Sequence, residues 1–510
     1  MSFQRAVGAL VVITLSLSGC RSTAPQEAQE GQPSAERHRA YLWSSPPPLE
    51  RSLVRHTSAL HLEALDVLYA TLRWREVSAT EKTHSTQSTQ STQSTQSTQS
   101  TQSTQSTQST QSTQSAKSAK SAQGGWRALY HAPPLKELVG ERPFGVVIRV
   151  ELPKHTLQYD SLGVTLTEVV RRMKRSIIER GLTLNLITLD ADPPRSKLPN
   201  YLSAVKRARA ASGEVPFTVT ALLDHTLSDD LKAFSEAAGH LTLQLHSLER
   251  SGQTIKPLVV LERAQRAVQR LSALGRPFSV ALPTYGYLVD LSERGLIYAE
   301  DRWPPELQDG LIVSAQPTAI ASLLALWRAA WPKGLTNINW FRFPLKGDRL
   351  NWPARTLWAV MKGRPLRQTL ALSCRRVRGE VELSLRASGE LDEPLYEPLL
   401  ISWDGGGGAE ETALVSARGA RGVRLTPHPH GLEVSSPQPL SALPPHLMTR
   451  RRWERLSLRA GARGRVIGHL TLHGSVRQLS LSRRAPSAQG PSSAVERPWE
   501  PLARCKLPLE

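Results

Sequence analysis

The chain has 510 residues, of which 39% are hydrophobic and 12 are tryptophan. This length allows a sizeable core and predicts one large and one small globular domain. The formal net charge of +20 would suit a polyanion partner, but the N-terminal segment predicts export, and an exported chain seldom meets nucleic acid. We therefore expect no nucleic-acid partner. We also expect a monomer.

Residues 1–20 have the form of an export signal. One positive charge within residues 1–5 precedes an apolar stretch over residues 6–17, and Cys20 follows directly after Gly19. The apolar stretch is too short to cross ~30 Å of hydrocarbon, so it predicts a signal that is removed. We expect a diacylglycerol on the Cys20 thiol and a further acyl chain, such as palmitate, on its amine, because a single chain anchors only marginally.

An ordinary signal peptide with a chance cysteine is the alternative. Arg21 stands where an aspartate would often retain a lipoprotein at the inner membrane. The expected location is therefore the outer membrane, on its periplasmic or surface face, with the lipid on Cys20 as the anchor.

Two further cysteines, Cys374 and Cys505, are too few for a disulfide framework. A bridge between them stays open. No cysteine and histidine spacing resembles a zinc site. We therefore expect no metal and no other cofactor.

Two segments are too polar to build a core. Residues 21–40 predict a flexible tether. Residues 78–125 contain ten consecutive Ser-Thr-Gln triplets, over residues 85–114, and predict disorder. Because apolar segments flank this tract, we interpret it as an insertion in a surface loop, which costs little closure entropy.

Residues 41–365 alternate between buried-strand and helical patterns. The strand candidates are 64–74, 145–152, 182–190, 217–223, 241–246, 278–283, 311–315 and 337–343. The helical patterns are 166–180, 198–211, 231–238, 259–274, 320–331 and 354–362. This alternation predicts an α/β fold, a (β/α)₈ TIM-like barrel. An open doubly wound sheet is the competing architecture, but no glycine-rich phosphate loop follows the first strand.

Residues 366–484 change to short alternating runs broken by glycine and proline, which predict a small antiparallel β-sandwich. Residues 485–510 predict a loose tail. The segment from residue 418 to residue 484 contains thirteen arginines but only two acidic residues, Glu433 and Glu454. Such a patch would attract phosphorylated lipid headgroups, anionic cell-wall polymer or acidic polysaccharide. A solvated, arginine-rich surface without a partner is the alternative.

Carboxylates at predicted strand ends are the candidate catalytic groups, because barrels of this kind work at the C-terminal ends of their strands. Asp190 and Asp192 are two residues apart and should face the same way, so they can share a proton or act as acid or base and orienter. Glu151 or Asp224 would be the second carboxylate. The competing interpretation is that such an aspartate caps the next helix or turn.

Amide, aromatic and basic side chains at other strand ends are the candidate substrate-binding groups. We expect Gln244, Tyr285 and Arg342 to position a sugar and Trp340 to stack on its apolar face. The alternatives are that Trp340 packs in the core and that Arg342 pairs with a carboxylate inside the barrel.

Several motifs resemble a known family. They are the Leu-Asp-Ala-Asp run at residues 189–192, residues 198–201, 243–245 and 281–286, and the Trp-Phe-Arg-Phe-Pro run at residues 340–344 with Asp348 and Trp352. Together they resemble a bacterial family named domain of unknown function 3142, from about residue 41 to the C-terminal β-domain. That family has no established activity, so the resemblance implies fold and context.

A more distant resemblance is to the chitinase-like glycoside hydrolases. Asp190, Asp192, Tyr285 and Trp340 would match the strand-end aspartates, the tyrosine and the tryptophan of those barrels. The acid glutamate has no counterpart, because two prolines follow Asp192. Without a general acid the leaving oxygen has no proton donor, so hydrolysis by that mechanism is in question.

Two functions follow as hypotheses. The first is a carbohydrate-directed barrel in the cell envelope, either a glycosidase with an unusual acid or a sugar-binding relative. The second is a non-catalytic envelope scaffold whose basic β-domain, including Arg450, Arg451 and Arg452, binds anionic polymer.

Overall fold

The computed structural model describes most of the chain beyond residue 35. The described residues are 36–43, 60–76, 124–131, 135–139, 142–153, 159–251, 254–290, 297–299, 310–345, 348, 350–391, 393–394, 399–405, 413–419, 424–428, 431–435, 447–449, 457–458, 465–473, 476–484 and 499–507. The predicted signal with Cys20, the Ser-Thr-Gln tract and Arg450 to Arg452 lie outside them. No helix of the described residues is long and apolar enough to cross a membrane.

The strands of the first part of the chain form a barrel and a small accessory sheet. In chain order they are β1 His38–Leu42, β2 Ala64–Glu76, β3 Gly124–Tyr130, β4 Phe144–Glu151, β5 Leu184–Ala191, β6 Phe217–Ala221, β7 Leu241–Gln244, β8 Arg250–Ser251, β9 Thr254–Ile255, β10 Phe278–Pro283, β11 Gly286–Val289, β12 Ile297–Ala299, β13 Leu311–Ser314 and β14 Leu335–Phe341. Eight parallel strands close a ring in the order β1, β2, β4, β5, β6, β7, β10, β14 and back to β1. The predicted TIM-like barrel is confirmed.

One predicted barrel strand is wrong and another was missed. Leu311–Ser314 lies outside the ring, where it pairs antiparallel with β11 and with β22, Leu447–Thr449. The ring is closed instead by β1, at residues that were expected to lie mainly in the tether. Its Ala40 pairs with Leu65 on one side and with Trp340 on the other.

Helices cover the outside of the barrel. They are α1 Leu135–Val139, α2 Tyr159–Glu179, α3 Leu198–Ser212, α4 Leu231–Ala238, α5 Leu261–Ala273, α6 Pro317–Ala329 and α7 Ala354–Met361, with short 3₁₀ turns at Arg195–Lys197 and Leu223–Leu227. Leu162, Leu166, Val169 and Met173 of α2 recur every three or four residues and are buried, as expected for a helix that packs one face on a sheet. Outward-facing apolar strand residues and these helix faces form one core.

The barrel interior is polar at its N-terminal end. The Arg39 guanidinium donates to both oxygens of Asp66, with N···O distances of 3.1 and 2.5 Å, and to Asn185 at 3.1 Å. Gly145 lies against this pair, and a Cβ there would clash with the Asp66 carboxylate. Burial lowers the pKa of neighbouring His240 to about 4, so this floor contains one tight ion pair and a neutral imidazole.

The C-terminal part of the chain folds into antiparallel sheets. Its strands are β15 Leu370–Val377, β16 Glu380–Ala387, β17 Glu393–Pro394, β18 Leu399–Gly405, β19 Ala413–Gly419, β20 Arg424–His428, β21 Gly431–Ser435, β22 Leu447–Thr449, β23 Ser457–Leu458, β24 Arg465–His473, β25 Val476–Arg484 and β26 Trp499–Lys506. Sheets β15-β16-β24-β19 and β20-β21-β18-β25-β26 share a separate apolar core. This arrangement agrees with the predicted sandwich.

Two features of this region were not anticipated. Strand β26 lies in the segment expected to be a loose tail, and it pairs antiparallel with β25. Cys374 of β15 and Cys505 of β26 form a disulfide across 131 residues, which settles the pairing that the sequence left open.

Candidate active site

The candidate site lies at the C-terminal mouth of the barrel. Asp190 is the seventh residue of β5, and Asp192 follows that strand by one residue. The sequence predicted β5 as the third strand of the barrel, but with β1 counted it is the fourth strand of the ring. Residues 190 and 192 lie on the same side of the strand, and the charge of Asp190 raises the pKa of Asp192.

Asp190 is held by three groups. Its Oδ1 accepts a hydrogen bond of 3.1 Å from the Gln244 amide, and its Oδ2 lies 4.0 Å from the Arg149 guanidinium. Burial raises the pKa of Asp190, while Arg149 and the side-chain hydrogen bonds of Thr220 and Gln244 oppose that shift. Gln244 therefore contacts the carboxylate through its amide nitrogen.

Asp192 is the more easily protonated member of the pair. Asp192 is exposed to solvent at the mouth, whereas Asp190 is buried. Burial, followed by repulsion from Asp190, raises the pKa of Asp192 to about 7, and only Arg149 opposes this. A carboxyl group with such a pKa can hold a proton near neutrality and donate it.

Arg149 of β4 lies at the centre of the mouth. Its guanidinium carbon is 5.1 Å from the centroid of the Trp43 ring. Asp190, Asp192, Glu151 and Tyr287 raise the pKa of Arg149 by their charges, against a lowering by burial. This arginine was not among the predicted site residues.

An aromatic wall, defined here as Trp43, Phe341, His246, Tyr285 and Tyr287, lines the same mouth. Phe341 is its centre, with ring centroids at 4.9 Å from Trp43, 5.7 Å from His246 and 5.2 Å from Tyr285. The hydroxyls of Tyr285 and Tyr287 are in hydrogen-bond contact. Burial raises the pKa of both tyrosines, so they remain neutral and supply ring faces and hydroxyl groups.

The predicted sugar platform, Trp340, is wrong. Its side chain has 0% exposure and belongs to the core between barrel and helices. Its indole Nε1 donates to His38 Nδ1 at 3.2 Å, and its ring lies 6.2 Å from that of Trp352. Because neighbouring strand residues face opposite sides, Phe341 faces the mouth instead.

Two predicted second carboxylates do not join the aspartate pair. Glu151 lies on the rim, where Arg73 Nε contacts it at 2.6 Å and its side chain is 38% exposed. Asp224 lies in the 3₁₀ turn after β6, 64% exposed, and binds Arg263 at 2.6 Å. Both are engaged in rim ion pairs, so the site contains Asp190 and Asp192 as its central carboxylates.

Arg342 supports the wall rather than facing solvent. Its side chain is 8% exposed and its Nη2 contacts Asp348 at 3.3 Å. Its backbone N–H donates to Thr284 Oγ1 at 2.8 Å, and that hydroxyl donates back to the Arg342 carbonyl at 2.5 Å. These bonds join the ends of β10 and β14 directly beneath Tyr285 and Phe341.

The described residues contain no group of three or more histidine, cysteine, aspartate or glutamate side chains arranged to hold a metal ion.

A family model with the description Domain of unknown function (DUF3142) matches residues 140–346. The matched segment covers less than half of the 510 residues. The match is shorter than the resemblance predicted from about residue 41 to the C-terminal β-domain. It begins just before β4 and ends after β14. The matched segment includes Arg149, both site aspartates and Phe341, whereas Trp43 lies ahead of it.

Solved structures of two chitinases and of a spore cortex-lytic enzyme match this chain at TM-scores of 0.40 or less. A chitinase from Chromobacterium violaceum matches at 11% identity and TM-score 0.40, covering 64% of this chain and 98% of that one. A chitinase from Bacteroides thetaiotaomicron matches at 9% identity and TM-score 0.38, covering 65% and 97%. The Bacillus cereus spore cortex-lytic enzyme SleL matches at 13% identity and TM-score 0.35, covering 64% and 74%. A comparison with curated proteins finds no match.

Proposed function

We propose that the chain is a carbohydrate-directed barrel of the cell envelope that cleaves a glycosidic bond at its C-terminal mouth. The observation that carries this proposal is the aspartate pair, Asp190 and Asp192, in which one carboxyl group has a pKa raised to about 7 beside an aromatic wall. Glycoside hydrolysis commonly needs two carboxyl groups whose environments separate their roles.

Asp192 is the proposed general acid. It holds a proton near neutrality and faces the mouth, so it can donate that proton to the glycosidic oxygen as the bond breaks. Asp192 would thereby act as the proton donor in place of the acid glutamate, which has no counterpart in this sequence.

Asp190 is the proposed ionised partner. Burial raises the pKa of Asp190, and Arg149, Thr220 and Gln244 oppose that shift by favouring the charged form. A negative charge there would stabilise the positive character that develops on the sugar ring. Phe341 and Trp43 supply faces on which the apolar side of a sugar ring can stack.

The proposed location is the outer membrane, with the signal cleaved off in front of Cys20 and a lipid attached to that cysteine. The support is the signal-like sequence of residues 1–20 together with the disulfide between Cys374 and Cys505. Disulfides persist in oxidising compartments and are rare in the cytosol.

The test uses the soluble chain from residue 21 on a panel of cell-wall and capsular polysaccharides, with release of reducing ends as the readout. We expect Asp192→Asn to lower the cleavage rate by about 10²- to 10⁴-fold, the usual contribution of a general acid. Asp224→Asn is the matched control, because it removes an aspartate outside the mouth and should leave the rate unchanged.

Binding without cleavage by the unmodified chain would overturn hydrolysis and leave a sugar-binding protein. Neither binding nor cleavage of any polysaccharide would overturn the carbohydrate proposal as a whole.

A second candidate function is docking on anionic polymer through the C-terminal sheets. Arg386, Arg424 and Arg504 are exposed there, and the arginine excess of this region supports long-range attraction. Such binding should weaken steeply as salt rises from 50 to 300 mM, because exposed charges are screened. It should also survive in Asp190→Asn and Asp192→Asn, whereas binding in the mouth should change.

A further inference from the structure

Arg149 differs from the other arginines inside the barrel in having open donors. Arg39 and Arg342 each contact a carboxylate at 3.3 Å or less. Arg149 makes no hydrogen bond to any described residue, and its closest carboxylate oxygen, on Asp190, is 4.0 Å away. Its side chain is 24% exposed, so part of it is accessible to solvent at the mouth.

The groups around Arg149 surround its guanidinium without accepting hydrogen bonds from it. Trp43 backs one face of the group at 5.1 Å. The charged and titratable groups that face it are Asp190 and Asp192 after β5, Glu151 on its own strand, and Tyr287 of β11. Glu151 is bound by Arg73, and Asp190 directs one oxygen to Gln244.

We propose that Arg149 is an anion-recognition subsite of the mouth and that the glycan taken there carries a carboxylate group. This inference rests on the proposed carbohydrate function and names its substrate class, an acidic saccharide such as a uronic acid polymer.

The chemistry follows from the shape of the group. A guanidinium presents paired N–H donors that match the two oxygens of a carboxylate, which gives a short, charge-assisted, bidentate contact. Trp43 limits the orientations of the planar group, so less side-chain freedom is lost when the contact forms. The net charge of +20 would raise the local concentration of acidic polymer around the chain.

The two aspartates set a pH dependence for this contact. A ligand carboxylate near Asp190 and Asp192 is repelled when both are ionised. When Asp192 holds a proton, Arg149 and Asp190 balance each other and the repulsion falls. Affinity for an acidic glycan should therefore rise as the pH falls from 8 to 6.

The experiment compares matched ligands on the soluble chain carrying Asp192→Asn, which blocks cleavage. Oligomers of galacturonate, of glucuronate-containing glycans and of mannuronate are each measured by calorimetry beside their methyl esters. The ester keeps the backbone and removes the charge. We expect at least one acid to bind 10-fold or more tighter than its ester.

Arg149→Met should abolish that preference and leave ester binding within about 2-fold. Arg149→Lys keeps the positive charge but loses the paired N–H donors of the guanidinium, so it should keep only part of the preference for acids over esters. Arg263→Met is the matched control, because it removes an arginine of the rim, and the preference should remain. Circular dichroism and thermal melting establish that each variant is folded.

Equal affinity for acids and esters, or a preference that persists in Arg149→Met, would overturn this inference while neutral glycans still bind. If no glycan of any kind binds, the proposed function fails as well, so the two failures are distinguishable.

Discussion

The buried ion pair at the barrel floor gives a stability prediction of definite size. Asp66 is fully buried and Arg39 is 4% exposed, and two hydrogen bonds of 3.1 and 2.5 Å join them. Asp66→Asn keeps the volume and removes the charge, which leaves a buried guanidinium without its counter-ion. Breaking such a pair costs about 3–5 kcal/mol, so the urea midpoint of the barrel should fall markedly.

The matched control is Glu151→Gln, which breaks a pair whose side chains are 43% and 38% exposed. An exposed pair contributes roughly 0–1 kcal/mol, so this variant should unfold almost as the unmodified chain does. The double variant Arg39→Met with Asp66→Leu should recover most of the loss, since it leaves no buried charge.

Urea unfolding followed by near-UV circular dichroism measures all these variants. If Asp66→Asn costs no more than Glu151→Gln, the reasoning is refuted, and with it the placement of β1 inside the barrel wall.

Three further predictions concern other parts of the chain. His225 Nε2 donates to the Pro193 carbonyl at 2.7 Å, and its Nδ1 accepts from the Leu222 backbone N–H at 3.1 Å. His225→Phe leaves that carbonyl and that N–H without a partner, so it should lower the free energy of unfolding by about 1–3 kcal/mol, measured by urea unfolding. Reduction of the Cys374–Cys505 bond, which spans 131 residues, should destabilise the C-terminal sheets by roughly 2–5 kcal/mol, measured by unfolding with and without dithiothreitol. Phe341→Ala should weaken glycan binding in calorimetry with little loss of folding, whereas Trp340→Ala should cost about 3–5 kcal/mol of stability and leave affinity unchanged in the folded fraction.

Seven of the eight barrel strands were predictable because their outward faces are continuous apolar stripes. The first strand was missed because its five residues include Arg39 and His38, and charged residues in a short segment resemble a tether. Only the barrel closure shows that Arg39 faces Asp66 and needs no solvent. Local pattern cannot contain that information, because the partner is 27 residues away.

Strand β13 was assigned to the barrel because its four apolar residues have the pattern of any buried strand. An apolar run does not specify whether its neighbours are parallel or antiparallel. The antiparallel partners, β11 and β22, become evident only in the structure.

The site was partly predictable from strand parity. Asp190 and Asp192 were found because both follow one strand with the same parity. The same rule applied to β4 places Arg149 on the face of Glu151, and applied to β14 it places Phe341 opposite to Trp340. The signal for both residues was therefore present in the alternation, whereas Trp43 is brought to the mouth only by closure of the barrel through β1.

The central claim is that the pKa of Asp192 is raised to near neutrality by its surroundings at the mouth. Selective ¹³C labelling of aspartate carboxyl groups, with the Asp192 signal assigned through Asp192→Asn, measures this directly. We predict a pKa of about 7, with a lower pKa in Asp190→Asn, where the repelling charge is gone. Because the folded-state pKa is raised, the free energy of unfolding should fall as the pH rises from about 4 to about 7 and level off above that range. Asp192→Asn should remove this trend. A pKa near 4, as for an ordinary exposed aspartate, would contradict the account.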